Sequence, residues 1–179
     1  MESVTARKRR SVRLRGFDYS ELGNYFITIC TAGKKHILGA IQDRRMILSP
    51  AGKAVRAAWF DLPGRYPSIE LREFVVMPNH VHAIVSLTQP IRRALRGAAS
   101  SAPTNGKPVP CPTLGEIVRA FKSLSAIEVN HVLDHSGQAV WQRSYYEHII
   151  RHAKEYDQIR RYIADNPIRW DEDPENAPL

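Results

Sequence analysis

Cysteine is scarce in this 179-residue chain: Cys30 lies in an apolar run and Cys111 between prolines. Two such residues build neither a disulfide scaffold nor a cysteine-based zinc site, so a reducing compartment is the simpler expectation. Long apolar runs are also missing. No stretch approaches the roughly 18 residues that span a bilayer, and the N-terminal residues lack the apolar stretch of a secretory signal. The expectation is a soluble, cytoplasmic protein that crosses no membrane. The pairs Gly33-Lys34, Gly52-Lys53 and Gly106-Lys107 are not followed by Ser or Thr, which excludes a Walker-type phosphate loop. Acidic charge is in the minority. The 26 Lys and Arg exceed the 18 Asp and Glu, and the resulting +8 points to an anionic partner such as nucleic acid or an anionic membrane surface.

What is present is organised unevenly. Residues 1–15 carry Arg7, Lys8, Arg9, Arg10, Arg13 and Arg15, and residues 1–20 read as a basic arm that adds salt-dependent attraction to phosphates without reading bases. Asp171, Glu172, Asp173 and Glu175 make residues 171–179 an acidic tail, and both ends read as solvated. Between them, 43% hydrophobic content and length favour a single domain over 21–170. Residues 97–112, with four prolines and two glycines, read as a flexible loop inside it.

Periodicity supplies the elements. Tyr25–Thr31, Leu71–Val76, Val81–Leu87 and Tyr145–Ile150 are short runs rich in β-branched and aromatic residues, as strands require. Met77-Pro78-Asn79 is a turn that pairs the second and third as a hairpin. Ser49 caps a helix over Ser49–Asp61 with Pro50 in its first turn. Thr113 and Glu116 form a capping box, and Leu114, Ile117, Val118, Phe121 and Leu124 then share one helical face. His152–Asp165 is a last helix, stopped before Pro167. The order β-α-β-β-α-β-α predicts an α+β, ferredoxin-like split β-α-β domain. It has an antiparallel sheet with helices on one face, plus a C-terminal helix.

Two residue sets carry chemistry. On a strand, His80 and His82 point to one side while Val81, Ala83 and Val85 point to the other, so two imidazoles converge as metal ligands do. A sheet face that simply displays two half-exposed histidines gives the same spacing. One turn apart on the last helix, Tyr162 and Asn166 reach one site, and Asn166 offers a metal an oxygen. A tyrosine that lays its ring on the core gives that pattern as well.

Together these motifs resemble the single-tyrosine HUH transposases, and among them the REP-associated tyrosine transposases, relatives of the IS200/IS605 transposases. The resemblance rests on Met77-Pro78-Asn79-His80-Val81-His82, on Leu114–Ser123, on Trp141–His148 and on Tyr162-Ile163-Ala164-Asp165-Asn166-Pro167. It covers roughly residues 22–175. It implies a ferredoxin-like fold whose C-terminal helix carries Tyr162 as nucleophile. His80 and His82 would bind Mg²⁺ or Mn²⁺, with Asn166 as third ligand where the insertion-sequence relatives carry Gln. Being one methylene shorter, Asn166 must bring its helix closer or bind through water.

The implied activity is cleavage and rejoining of single-stranded or hairpin DNA at repeat-end sequences, by a monomer or homodimer, through a 5′-phosphotyrosine. Arg119, Lys122, Arg143, Arg151, Arg160 and Arg161 are the candidate phosphate contacts. Tyr145, Tyr146 and Tyr156 lack an Asn four residues on and are expected to pack or touch DNA. Two rival readings use the same residues: a non-catalytic DNA-binding module of this fold, and a zinc hydrolase that recruits Glu147 and His148 beside the histidine pair.

Overall fold

The computed structural model describes residues 22–88 and 112–176. The basic arm and nearly all of the 97–112 loop lie outside the described residues. Strand β1 (Gly23–Cys30) is followed by a hairpin, β2 (Gly39–Gln42) and β3 (Arg45–Leu48). Helices α1 (Pro50–Phe60) and α2 (Leu62–Arg65), strands β4 (Ile69–Val76) and β5 (His80–Leu87), helix α3 (Leu114–Val132), strand β6 (Tyr146–Ile150) and helix α4 (Ala153–Asp165) complete the order. The main sheet runs β4-β5-β1-β6, every pair antiparallel. This is the α+β split β-α-β arrangement that the periodicity predicts, with the two strands nearest the middle contributed by β1 and β5.

The β2–β3 hairpin was not among the expected elements. Its two-residue turn uses Asp43 and Arg44 at φ 48° and 59°, a twisted turn made without the glycine that normally announces it. The helices also depart from the expectation of one covered face. Helices α1 and α3 pack together over one face, burying Tyr25, Ile27, Ile29, Val81, Ala83 and Val85. There Trp59 stacks on Phe74 (centroids 4.9 Å apart) and meets Phe121 edge-on at 5.2 Å. Helix α4 covers the other face, where Phe26, Ile84, Ile150 and Ile163 form a much smaller apolar cluster.

Local chemistry explains the helix starts. Ser49 accepts from the Gly52 amide, with Pro50 in the first turn, and Thr113 and Glu116 close the capping box. Gly52 is set by packing: a Cβ there would lie 2.0 Å from the Leu38 carbonyl oxygen, so only glycine lets α1 approach the segment that leads into β2. A bulge at Leu71/Phe74 resets the alternation of β4. It leaves Glu73 to accept a hydrogen bond from Tyr156 on α4 at 2.9 Å.

Candidate active site

Strand β5 has no exposed face. Val81, Ala83 and Val85 enter the large core, and alternation sends His80 and His82 under α4 and the segment that follows it, where they are 0% and 2% exposed. The alternative reading, a sheet face that displays two half-exposed histidines, therefore fails, because the chain after α4 folds back over them. The site sits at the end of the sheet where Thr28 of β1 pairs with His82.

Each ring is held by its Nδ1 atom. Asn79 is oriented by donating its Nδ2 to the Glu175 carbonyl at 2.9 Å, so its Oδ1 faces His80 Nδ1 at 2.8 Å. An amide oxygen only accepts; His80 therefore carries its proton on Nδ1, and its Nε2 is a bare lone pair. His82 Nδ1 lies 2.8 Å from the Thr28 hydroxyl, and the two Nε2 atoms are 3.0 Å apart. With the Thr28 hydroxyl donating, His82 carries its proton on Nε2 and gives it to the His80 lone pair; with Thr28 accepting, two lone pairs face each other and a cation between them would satisfy both.

Asp173 supplies the opposite charge. Its carboxylate is 3.8 Å from His80 Nε2 and 4.0 Å from His82 Nε2, buried, and accepts from Asn166 Nδ2 at 2.8 Å and from the Glu175 amide at 2.6 Å. The reading of the acidic tail as solvated is corrected here. Trp170 lies over the His80 ring (centroids 6.1 Å apart), Pro174 and Glu175 meet Lys34, and this cover puts Asp173 inside. Burial raises the Asp173 carboxyl, but attraction to His82, the Glu175 amide, His80 and Asn166 outweigh it and hold the group below its usual range. Burial, with His82 next to it, drives the His80 imidazole well below its usual value.

Tyr162 reaches the same point from α4. Its hydroxyl is 3.2 Å from His82 Nε2, and its ring, 39% exposed, lies edge-on to Phe26. Burial, then Asp173 and Glu175, push this phenol up to about 12 against a lowering by Asn166. Asn166 caps α4 and is buried. Because its Nδ2 is fixed on Asp173, its Oδ1 is left with no partner. Ligand atoms of His80, His82 and Asp173 lie within 4.8 Å of one another. Two imidazole nitrogens, a carboxylate and an orphaned amide oxygen make a donor set that fits a divalent cation.

The structure brings Tyr162, His80, His82 and Asn166 together and adds Asp173. Among four acidic residues in a short run, nothing marks Asp173 in the sequence; Trp170, an apolar residue in an otherwise charged stretch, is the one signal that the segment docks. The other tyrosines are elsewhere. Tyr156 is committed to Glu73. Tyr145 packs against the large core, and Tyr146 is exposed on the Phe26 side. The zinc-hydrolase reading recruits Glu147 and His148, but among the described residues the candidate metal ligands gathered at the histidine pair include neither, and His148 pairs with Glu155 at 2.7 Å. Of the candidate phosphate contacts, Arg160 and Arg161 are exposed on α4 and Arg151 is exposed just before it. Lys122 donates to the carbonyls of Gln142 (2.6 Å) and Arg143 (3.0 Å), and burial lowers its ammonium below the usual value.

No protein-family model matches the chain. An uncharacterized protein of Haemophilus influenzae is 39% identical over 172 residues, an alignment that covers 92% of this chain and 91% of the relative. The chain belongs to the family of that protein. Among solved structures, the REP-associated tyrosine transposase bound to a REP hairpin matches with 21% identity and a TM-score of 0.53, over 83% of this chain and 68% of the other. At that identity the likeness establishes a shared fold. No helix among the described residues is long and apolar enough to cross a membrane.

Proposed function

We propose that this protein is a metal-dependent tyrosine transposase that cleaves and rejoins single-stranded or hairpin DNA through a 5′-phosphotyrosine link. The observation that carries the reading is the Tyr162 hydroxyl 3.2 Å from His82 Nε2, at a buried cluster of acceptors able to hold a cation. The fold shared with a hairpin-bound tyrosine transposase and the +8 charge support it. A cytoplasmic location, on the cell's DNA, follows from such a substrate.

His80, His82, Asp173 and the Asn166 Oδ1 would hold the metal. When bound, a divalent cation polarises a phosphate oxygen and favours the phenolate. Two nitrogen ligands favour Mn²⁺ over Mg²⁺. The protein's own groups do the rest. Asn79 and Thr28 fix the imidazole orientations, and Phe26 holds the Tyr162 ring. Tyr162 attacks the scissile phosphorus, forming the phosphotyrosine bond as the bond to the 3′ oxygen breaks. Its proton passes to water at the open side of the ring, and the departing 3′ oxygen takes one up. The link conserves the bond energy, so a 3′-OH reverses the step without nucleotide hydrolysis.

The test is incubation of the full chain with single-stranded hairpin DNA and Mn²⁺ or Mg²⁺, followed by denaturing electrophoresis. A denaturation-resistant adduct that chelator abolishes is the expected result. Metal-dependent cleavage without adduct would make the protein a hydrolase, and binding without either would make it a DNA-binding module.

A further inference from the structure

A second concave site lies between the start of α3 and the run into β6. Its volume is about 420 Å³, and its wall includes Arg119, Lys122, Arg143, Tyr145 and Glu116. We infer that this cleft takes one unpaired nucleotide of the DNA strand whose scissile phosphate reaches Tyr162, with the base on Tyr145 and the phosphate between Arg119 and Arg143; the inference rests on the function proposed above.

The lining has the mixed character such a ligand needs. Tyr145 is half-buried and packed on the large core, so its ring is a pre-ordered stacking surface. Arg119 and Arg143 are exposed, and neither forms an ion pair among the described residues. Lys122, bound to the Gln142 and Arg143 carbonyls, acts as a positioning residue that pins the backbone from which Arg143 projects. Among the described residues of the wall Glu116 is the one carboxylate, tied to the Thr113 amide at 2.8 Å and hydroxyl at 3.0 Å and attracted by Arg119, against three cations. Stacking alone fits any aromatic ligand and charge alone any anion. A ring beside two exposed guanidiniums fits a nucleotide.

Topology ties the cleft to the candidate active site. Strand β6 is an edge of the sheet, and Tyr145 and Tyr146 send their rings to opposite faces. Tyr146 rests on Phe26 with centroids 6.1 Å apart, and Tyr162 rests on the same ring at 6.1 Å. A strand that leaves Tyr162 along Tyr146 and rounds the edge of β6 arrives at Tyr145.

The experiment measures binding of a labelled 15-residue oligo(dT) to the full chain by fluorescence anisotropy in chelator, across a salt series. Arg119→Gln with Arg143→Gln should weaken binding about tenfold and lower the log–log salt slope by about 0.7, one phosphate's worth for a single strand. Tyr145→Leu should also cost about tenfold. Because Tyr145 supports the core, 5-iododeoxyuridine in the native complex gives an independent reading: photocrosslinks should map to Tyr145. Unchanged affinity and slope in the arginine variant, or crosslinks that avoid this cleft, would overturn the inference. So would dTMP binding as tightly as the 15-residue strand, since the site would then serve free nucleotides. Adduct formation is scored separately. Normal binding by the cleft variants beside an intact Tyr162 adduct sinks the cleft alone, whereas the expected binding losses with no adduct sink the catalytic reading alone.

Discussion

The two faces of the main sheet obey different rules. Under α1 and α3 lies a continuous apolar core built on Trp59, Phe121, Ile27 and Ile29, with Trp141 Nε1 donating to the Ser125 hydroxyl at 2.9 Å. Under α4 the apolar cluster is four residues, and beside it are buried two histidines, an aspartate and an asparagine with an unpartnered oxygen. Burying such groups is unfavourable unless they are paired. One face therefore stabilises the fold while the other carries groups that stability alone would not select. Strand β5 joins the two, one residue to each side in turn. Changes on one face should move activity and leave stability nearly alone, and changes on the other should do the reverse.

The sharpest separation is expected at Tyr162. Replacement by Phe keeps the ring against Phe26 and should abolish the DNA adduct, while unfolding free energy falls by at most about 1 kcal/mol, the net value of one hydrogen bond. Gel assay and thermal denaturation of the same preparation check both halves. On the opposite face, Ile29→Ala leaves a cavity at a fully buried site and should cost about 2–5 kcal/mol in chemical denaturation. Residual adduct formation per folded molecule should be retained. A core variant that keeps its stability but loses the adduct would break the division of labour.

How much of this was legible in the sequence depends on whether the signal is local. The alternation in His80–Val85, the Thr113/Glu116 capping box and the proline in the first turn of α1 are read from neighbours in sequence; α1 and β5 stand within a residue of expectation, and α3 starts where its cap puts it and runs on past Leu124 to Val132. The β2–β3 hairpin was missed because its strands are four residues each and its turn is Asp43-Arg44, without glycine. The burial of His80, His82 and Asp173 was missed for another reason. It depends on the Trp170–Asn176 segment docking on the strand, through contacts such as Asn79 to Glu175 that are 96 residues apart. Acidic residues in a row read as solvated until something shows which one turns inward.

Two smaller effects sharpen the stability side. Gly52→Ala, although it favours helix, should destabilise by about 1–3 kcal/mol in urea, because the new Cβ collides with the Leu38 carbonyl. Smaller still is the α3 cap: Thr113→Ala should cost about 1 kcal/mol. The capping hydrogen bonds from the Thr113 amide and hydroxyl hold the Glu116 carboxyl below its usual 4.5. Its folded pKa being depressed, that contribution is present above pH 4.5 and is lost as pH falls through the folded value. A stability–pH curve that is less steep below pH 4.5 for Glu116→Gln checks the sign.

The central claim is that Tyr162 becomes bonded to DNA at the His80–His82 site. Proteolysis of the adduct formed with hairpin DNA and Mn²⁺, followed by mass spectrometry of the DNA-linked peptide, tests it most directly. The account predicts one phosphotyrosine, at Tyr162, which disappears in Tyr162→Phe. A DNA link at Tyr145, Tyr146 or Tyr156 would contradict it.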